Sequence, residues 1–167
     1  MVAQSDNPNL YKGTYMKNYK NILVAIDFSD SADNVISRAA DVAKFSAAKT
    51  TLLHVVDHIP PLGFGEEPLI APDWMIPEHE LLEEAKKSLH KFAVKHSLEQ
   101  EEQLVSMGTA QHEIVRIAEK LKADLIILGS HGRHGVRLLL GSTANGVLHH
   151  ASCDVLAVRI KDEASNI

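Results

Sequence analysis

A chain of 167 residues that is 45% hydrophobic and 23% charged suits one domain with a proper core, and its composition excludes disordered and fibrous classes. Its 22 acidic against 17 basic side chains, a net charge of −5, argue against nonspecific nucleic-acid binding. The single cysteine, Cys153, excludes an intramolecular disulfide and a cysteine-built metal site. No apolar run approaches the ~20 residues of a membrane span and no signal-peptide core is present, so a reducing cytoplasm is the expected compartment.

Residues 1–18 are polar and aperiodic and read as a tail before a domain at 19–160, with a second tail at 161–167. Asn21 to Asp27 (NILVAID) is nearly continuous apolar sequence, the pattern of a strand buried on both faces. Ser29, Asp30 or Ser31 can then cap a helix whose Val35, Ala39, Val42 and Ala43 share a face. Thr51 to Asp57 reads as a second buried strand. His58 to Pro77 holds five prolines and two glycines and reads as an extended loop, a surface loop or a lid, with Phe64, Trp74 and Met75 as anchors.

Glu78 to Ser97 is an amphipathic helix with Leu82, Ala85, Leu89, Phe92 and Ala93 on one side. Glu83 with Lys87, and Glu84 with Lys86, are expected to be solvated surface pairs. Gln103 to Met107 reads as a third strand, and the following helix carries Ile114, Ile117, Ala118 and Leu121. Leu125 to Leu128, between Asp124 and Gly129, is a short buried fourth strand. A polar loop with Gly129, Gly132 and Gly135 follows. After Gly141-Ser142-Thr143, a helix is predicted from Ala144, Val147, Leu148 and Ala151. Asp154 to Val158 is the fifth strand.

Alternating strands and helices with mostly apolar strands predict an α/β domain: a parallel sheet covered by helices on both faces, with right-handed crossovers. Ligands of such sheets collect at the carboxyl ends of the strands, where strand order reverses. Asp27 and Gly129 both fall on that rim. Glycines permit close backbone approach, Ser142 or Thr143 can cap the last helix, and the free N–H groups of its first turn suit an anion. His131, Arg133 and Arg137 add donors and charge. The plainer reading of the same residues is a glycine-rich turn before a well-capped helix.

Ile22 to Ser29, then Leu53-His54-Val55, then Gly129-Ser130-His131-Gly132 with Gly141-Ser142, together resemble the universal stress protein family, from about Tyr19 to Arg159. The resemblance implies a Rossmann-like three-layer sandwich with a five-stranded parallel sheet of order 3-2-1-4-5. It also implies a homodimer joined through the last strand, Val155 to Ile160, an edge that gains from pairing.

Family members that bind ATP resemble G-x2-G-x9-G-[ST]. Here Gly132 and Gly141 are separated by eight residues, one fewer. By similarity, Asp27 would bond the ribose or lie near the adenine. Ala25, Ile26, Val55 and Leu128 would present backbone and apolar surface to the base. Gly129, His131, Gly132, Gly141, Ser142 and Thr143 would hold the phosphates. The ligand implied is ATP or AMP, with Mg²⁺ as an accompanying ion. The competing role for Asp27 is to cap the loop after the first strand.

The ten histidines raise a metal site, but neither H-E-x-x-H nor C-x-x-C occurs, and none is expected. His54 reads as a structural residue hydrogen-bonded at a strand pair, and Cys153 as a small core residue. No serine elbow and no glycine loop after Asp27 suggest a catalytic centre. At most slow ATP hydrolysis or autophosphorylation is expected, with Ser142 and Thr143 as possible acceptors. The function expected is an adenine-nucleotide-binding regulatory or protective module without nucleic-acid or membrane partners. The alternative, favoured by the shortened loop, is a nucleotide-free dimer acting through protein contacts.

Overall fold

The apolar runs become five parallel strands in the order β3-β2-β1-β4-β5. The structure is a computed structural model that describes residues 18–29, 31–57, 76–130 and 140–159. In chain order the elements are β1 (Asn21–Ala25), α1 (Ala32–Ser46), β2 (Lys49–Asp57), α2 (Glu78–Lys95) and β3 (Glu102–Gly108). They continue with α3 (Ala110–Leu121), β4 (Leu125–Gly129), α4 (Ser142–His150) and β5 (Asp154–Val158).

Side chains alternate across each strand, so the three inner strands feed two cores. Ile22, Val24, Leu52, Leu125 and Ile127 pack with Val35 and Ile36 of α1 and Leu89 and Ala93 of α2. Leu23, Leu53, Ile126 and Leu128 pack with Ile114 and Ile117 of α3 and Ala144 and Val147 of α4. Leu23, Val24, Leu52, Leu53, Ile126 and Ile127 are 0% exposed. At ~1.5–3 kcal/mol for each large side chain fully buried, this central strip supplies much of the drive to fold. Cys153 packs, partly buried, against the α3–α4 core, as a small core residue should.

At the amino ends of the strands a polar latch sets the register. The Asp124 carboxylate accepts the N–H groups of Lys20 (2.8 Å) and Asn21 (3.1 Å), and the Asp124 N–H donates to the Asn21 carbonyl (3.0 Å). β1 and β4 are thereby held side by side from their first residues.

Several boundaries differ from the expectation. β1 stops at Ala25 rather than Asp27, β2 begins at Lys49 rather than Thr51, and α2 ends at Lys95 rather than Ser97, where φ is +57°. β3 is longer than read by one residue at each end, because pairing with β2 carries Glu102, opposite Thr51, and Gly108, opposite Asp57, into the ladder. Ser31 stands at the N-cap of α1 without a side-chain cap bond; its Oγ meets Ser29 Oγ at 2.5 Å instead. Glu83 pairs with Lys86 (2.8 Å) rather than Lys87. Leu148 is 45% exposed, outside the core face assigned to it. The anchors Phe64, Trp74 and Met75, Asp30, Ile160 and both tails apart from Asn18 lie outside the described residues.

The β3–α3 junction is tied by charge. Gly108, at φ +147°, makes room for the Glu113 side chain, whose Cγ would lie 3.0 Å from a Cβ there. The Glu113 carboxylate accepts the Ser106 hydroxyl and the Arg116 guanidinium (2.6 and 3.1 Å). Arg116, then Ser106, hold the Glu113 carboxyl below its ordinary 4.5. The stability this group contributes is complete above its unfolded pKa and is lost as pH falls through the lowered folded value. Glu113→Gln should therefore cost about 1 kcal/mol near neutrality. Urea melts of the two proteins should differ at about pH 7 and converge towards about pH 3; a difference unchanged with pH would refute the ionic origin.

Candidate functional site

β1 is shorter than its neighbour at the carboxyl rim. It ends at Ala25, level with Leu53, whereas β2 runs on beside β3 to Asp57. The Ile26 N–H still donates to the Leu53 carbonyl at 2.9 Å, so the Leu53 peptide groups face β1. Peptide groups in a strand alternate sides residue by residue, so those of Val55 face the same way. Among the described residues no strand lies there to receive them. The Val55 N–H and C=O thus open into the gap that β1 leaves, while Ser106 of β3 lies abreast on the other side.

Three contacts turn the chain away from β2 after Ala25. The Ile26 carbonyl accepts the Nδ1–H of His54 at 2.8 Å, the strand-pair role expected of that histidine, and the acceptor fixes which ring nitrogen carries the proton. Phe28 takes a left-handed conformation, φ +55°, with its ring against His54, centroids 4.2 Å apart. Asp27 Oδ1 accepts the Ser29 N–H (3.0 Å) and hydroxyl (2.6 Å). One carboxylate oxygen is therefore the loop cap of the competing reading; Oδ2 has no hydrogen-bond partner among the described residues. Ile26 departs from expectation. Its N–H and C=O are already engaged, and its side chain, 5% exposed, belongs to the α1–α2 core on the other face.

The second half of the rim comes from β4 and α4. Gly129 pairs with Val158, and the Ser130 N–H donates to the Val158 carbonyl (2.9 Å). The Gly141 N–H donates to the Ser130 carbonyl (2.8 Å). That bond closes the neck of the glycine loop and sets the start of α4 against the end of β4. Gly141, not Ser142 or Thr143, is the N-cap, so the expected hydroxyl cap is absent. At φ −59° Gly141 needs no left-handed freedom, and among the described glycines only Gly108 has a positive φ. Asn145 makes the first intrahelical bond, to the Gly141 carbonyl (2.9 Å). The N–H groups of Ser142, Thr143 and Ala144 have no backbone partner among the described residues, and the positive end of the helix dipole lies with them.

Between β1 and β4 the strand order reverses, the place where open α/β sheets hold ligands. Ala25, Val55 and Leu128 all pack in the α3–α4 core, giving the crevice an apolar wall on one face. Gly146 lets the Gln111 side chain of α3 lie flat on α4; a Cβ there would meet Oε1 at 1.9 Å. The structure thus brings Ala25, Asp27, Val55, Leu128, Gly129, Gly141, Ser142 and Thr143 to one rim. His131 and Gly132, with Arg133, Gly135 and Arg137, lie outside the described residues. The described residues contain no group of three potential metal ligands, and no helix among them is long and apolar enough to cross a membrane.

The structure adds the overhang of β2 beyond β1, and it identifies Ser29 as the partner of Asp27 in the loop cap. An Asp-x-Ser turn signal was present at Asp27-Phe28-Ser29; nothing in the composition announces the left-handed Phe28.

A profile described as "Universal stress protein family" matches residues 18–159. Universal stress protein A homolog 2 of Coxiella burnetii is 43% identical over 147 residues, 87% of this chain and 99% of the relative. The solved universal stress protein UspA from Lactobacillus plantarum is 28% identical, with TM-score 0.62 over 85% of this chain and 99% of that one. A universal stress protein solved in complex with cAMP shares the fold at 24% identity, TM-score 0.61, covering 86% of this chain and 99% of that one.

The closed neck has a direct consequence. Without ligand, the Gly141 amide should exchange with solvent on the order of 100-fold more slowly than those of Ser142, Thr143 and Ala144. Equal rates at all four would mean that the Gly141–Ser130 bond does not persist in solution.

Proposed function

We propose that this chain, which belongs to the universal stress protein family, binds an adenine nucleotide, ATP or AMP, at the β1–β4 crevice and serves as a regulatory or protective module in the stress response. The observation that carries the reading is the β2 overhang. The Val55 N–H and C=O form a donor–acceptor pair facing an apolar-walled gap, which matches adenine N1 and the N6 amino group. Guanine offers N1–H and O6 in their place, and both would meet like groups. Ala25 and Leu128 supply apolar surface beside the base. Ile26 shapes the gap by holding His54 and makes no contact of its own.

Asp27 Oδ2 would accept a ribose hydroxyl while Oδ1 keeps the loop in place. The phosphates would lie at the uncapped start of α4, on the N–H groups of Ser142 and Thr143, with Gly129 and Gly141 allowing close approach. The resemblance adds His131 and Gly132, and Mg²⁺ would accompany ATP. The eight-residue spacing that favours a nucleotide-free protein is offset by the Gly141–Ser130 bond, which seats the helix start although the loop is short. In this reading the protein works in the cytoplasm as a homodimer paired through the edge that the resemblance implies, Val155 to Ile160, which takes in most of β5.

Calorimetric titration with ATP and Mg²⁺, AMP and GTP checks the assignment. Saturable ATP or AMP binding is expected, with GTP much weaker. Asp27→Ala should weaken binding by about tenfold or more, as loss of a charged hydrogen bond implies. No heat with either adenine nucleotide at millimolar concentration would favour the nucleotide-free dimer.

A further inference from the structure

A cavity of ≈ 280 Å³ lies at the far end of α1, between Ile36, Ala39, Ala40 and Ala43 of that helix, Leu98 beyond α2 and Thr50 at the start of β2. Its walls are set by two helix ends. Ala47 and Ser97 are both left-handed (φ +50° and +57°), and the N–H groups of Ala48 and Leu98 return to the carbonyls of Ala43 (3.2 Å) and Ala93 (2.8 Å). The cavity lies at the amino ends of the strands, the rim opposite the β1–β4 crevice, so it does not depend on the nucleotide reading.

Thr50 lines this cavity and is 6% exposed, yet its hydroxyl makes no hydrogen bond with any described residue. Buried polar groups in folded proteins have partners, so a buried hydroxyl left without one at a cavity wall points to a guest. Lys44 and Glu101 also line the cavity, and neither forms an ion pair among the described residues. The β2–β3 ladder begins at Thr51 opposite Glu102, and the residues just before that pair, Thr50 and Glu101, both line the cavity. The cavity wall therefore carries two acceptors, the Glu101 carboxylate and Thr50 Oγ1, and the Lys44 cation of α1, with alanine surface among them. The volume is far beyond the ~30 Å³ of a single water.

We propose that this cavity binds a free α-amino acid with a small aliphatic side chain. Its ammonium group donates to Glu101 and Thr50 Oγ1, its carboxylate meets Lys44, and its aliphatic body packs on Ile36, Ala39, Ala40, Ala43 and Leu98. A monoamine would face Lys44 unneutralised and a monocarboxylate would face Glu101, so the arrangement selects the zwitterion.

The test is an amide NMR titration of the full chain with L-leucine, with isoamylamine (amine alone) and with 4-methylvalerate (carboxylate alone). Saturable shifts at Ala39, Ala43 and Leu98 are expected with leucine, and weaker binding with either analogue. Thr50→Val should reduce leucine affinity about tenfold by removing one hydrogen bond. The ligand-free variant should melt at or above the parent temperature, because a methyl replaces an unpartnered hydroxyl. If Thr50→Val does not fold, Glu101→Gln makes the same test at a less buried position and should also lose about tenfold. No saturable shift at these amides up to about 50 mM leucine would overturn the proposal. So would equal binding of either analogue, or unchanged affinity in the folded variant.

Discussion

The structure turns on one parting of strands. β1 leaves β2 after Ala25 because the Ile26 carbonyl is taken by the His54 ring and Phe28 swings into a left-handed turn over the same imidazole. Had β1 continued to Asp27 as a strand, the Val55 peptide would be one more rung in the ladder. Instead the sheet keeps its full core beneath the rim, where Leu23, Leu53 and Ile126 are wholly buried, and opens a polar backbone edge above it. An exposed peptide edge in water costs little; the same edge beneath a stacked base would cost much more unless bonded. A ligand with matching donor and acceptor is therefore favoured over one without.

The two rims of the sheet behave differently for the same physical reason. At the amino rim, Asp124 satisfies the first N–H groups of β1 and locks it against β4. At the carboxyl rim the corresponding groups are left to the turn after β1 and to the start of α4. The Gly141–Ser130 bond ties the start of α4 to the end of β4 at that rim. For the nucleotide proposed here, a latch below and unspent hydrogen-bonding groups above would supply donors placed before the ligand arrives.

Much of this was legible in the residues. Uninterrupted apolar runs such as Leu125 to Leu128 can only be covered on both faces, and that dictates a parallel sheet with helices on either side. The 3.6-residue spacing of Ile114, Ile117, Ala118 and Leu121 placed α3 correctly. The order of the strands came from the family resemblance, not from periodicity. What stayed hidden was local. Asp27 extends an apolar run and reads as strand, but a tertiary contact from His54 ends the strand two residues earlier. Ser142 and Thr143 look like caps by residue type, yet the closed neck puts Gly141 in that place and draws both hydroxyls into the helix. The unpartnered Thr50 hydroxyl is invisible in sequence, since Thr50-Thr51 differ only in which faces a neighbour: Thr51 Oγ1 reaches Glu102 at 3.4 Å.

If the peptide edge of Val55 reads the adenine, its backbone amide in nitrogen-labelled protein should report the base as AMP is added. A large downfield shift of the Val55 amide and slowed hydrogen exchange are expected with AMP, and neither with GMP. Saturable AMP binding that leaves the Val55 amide unshifted and its exchange unchanged would rule out Val55 as the reader and move the base elsewhere on the chain.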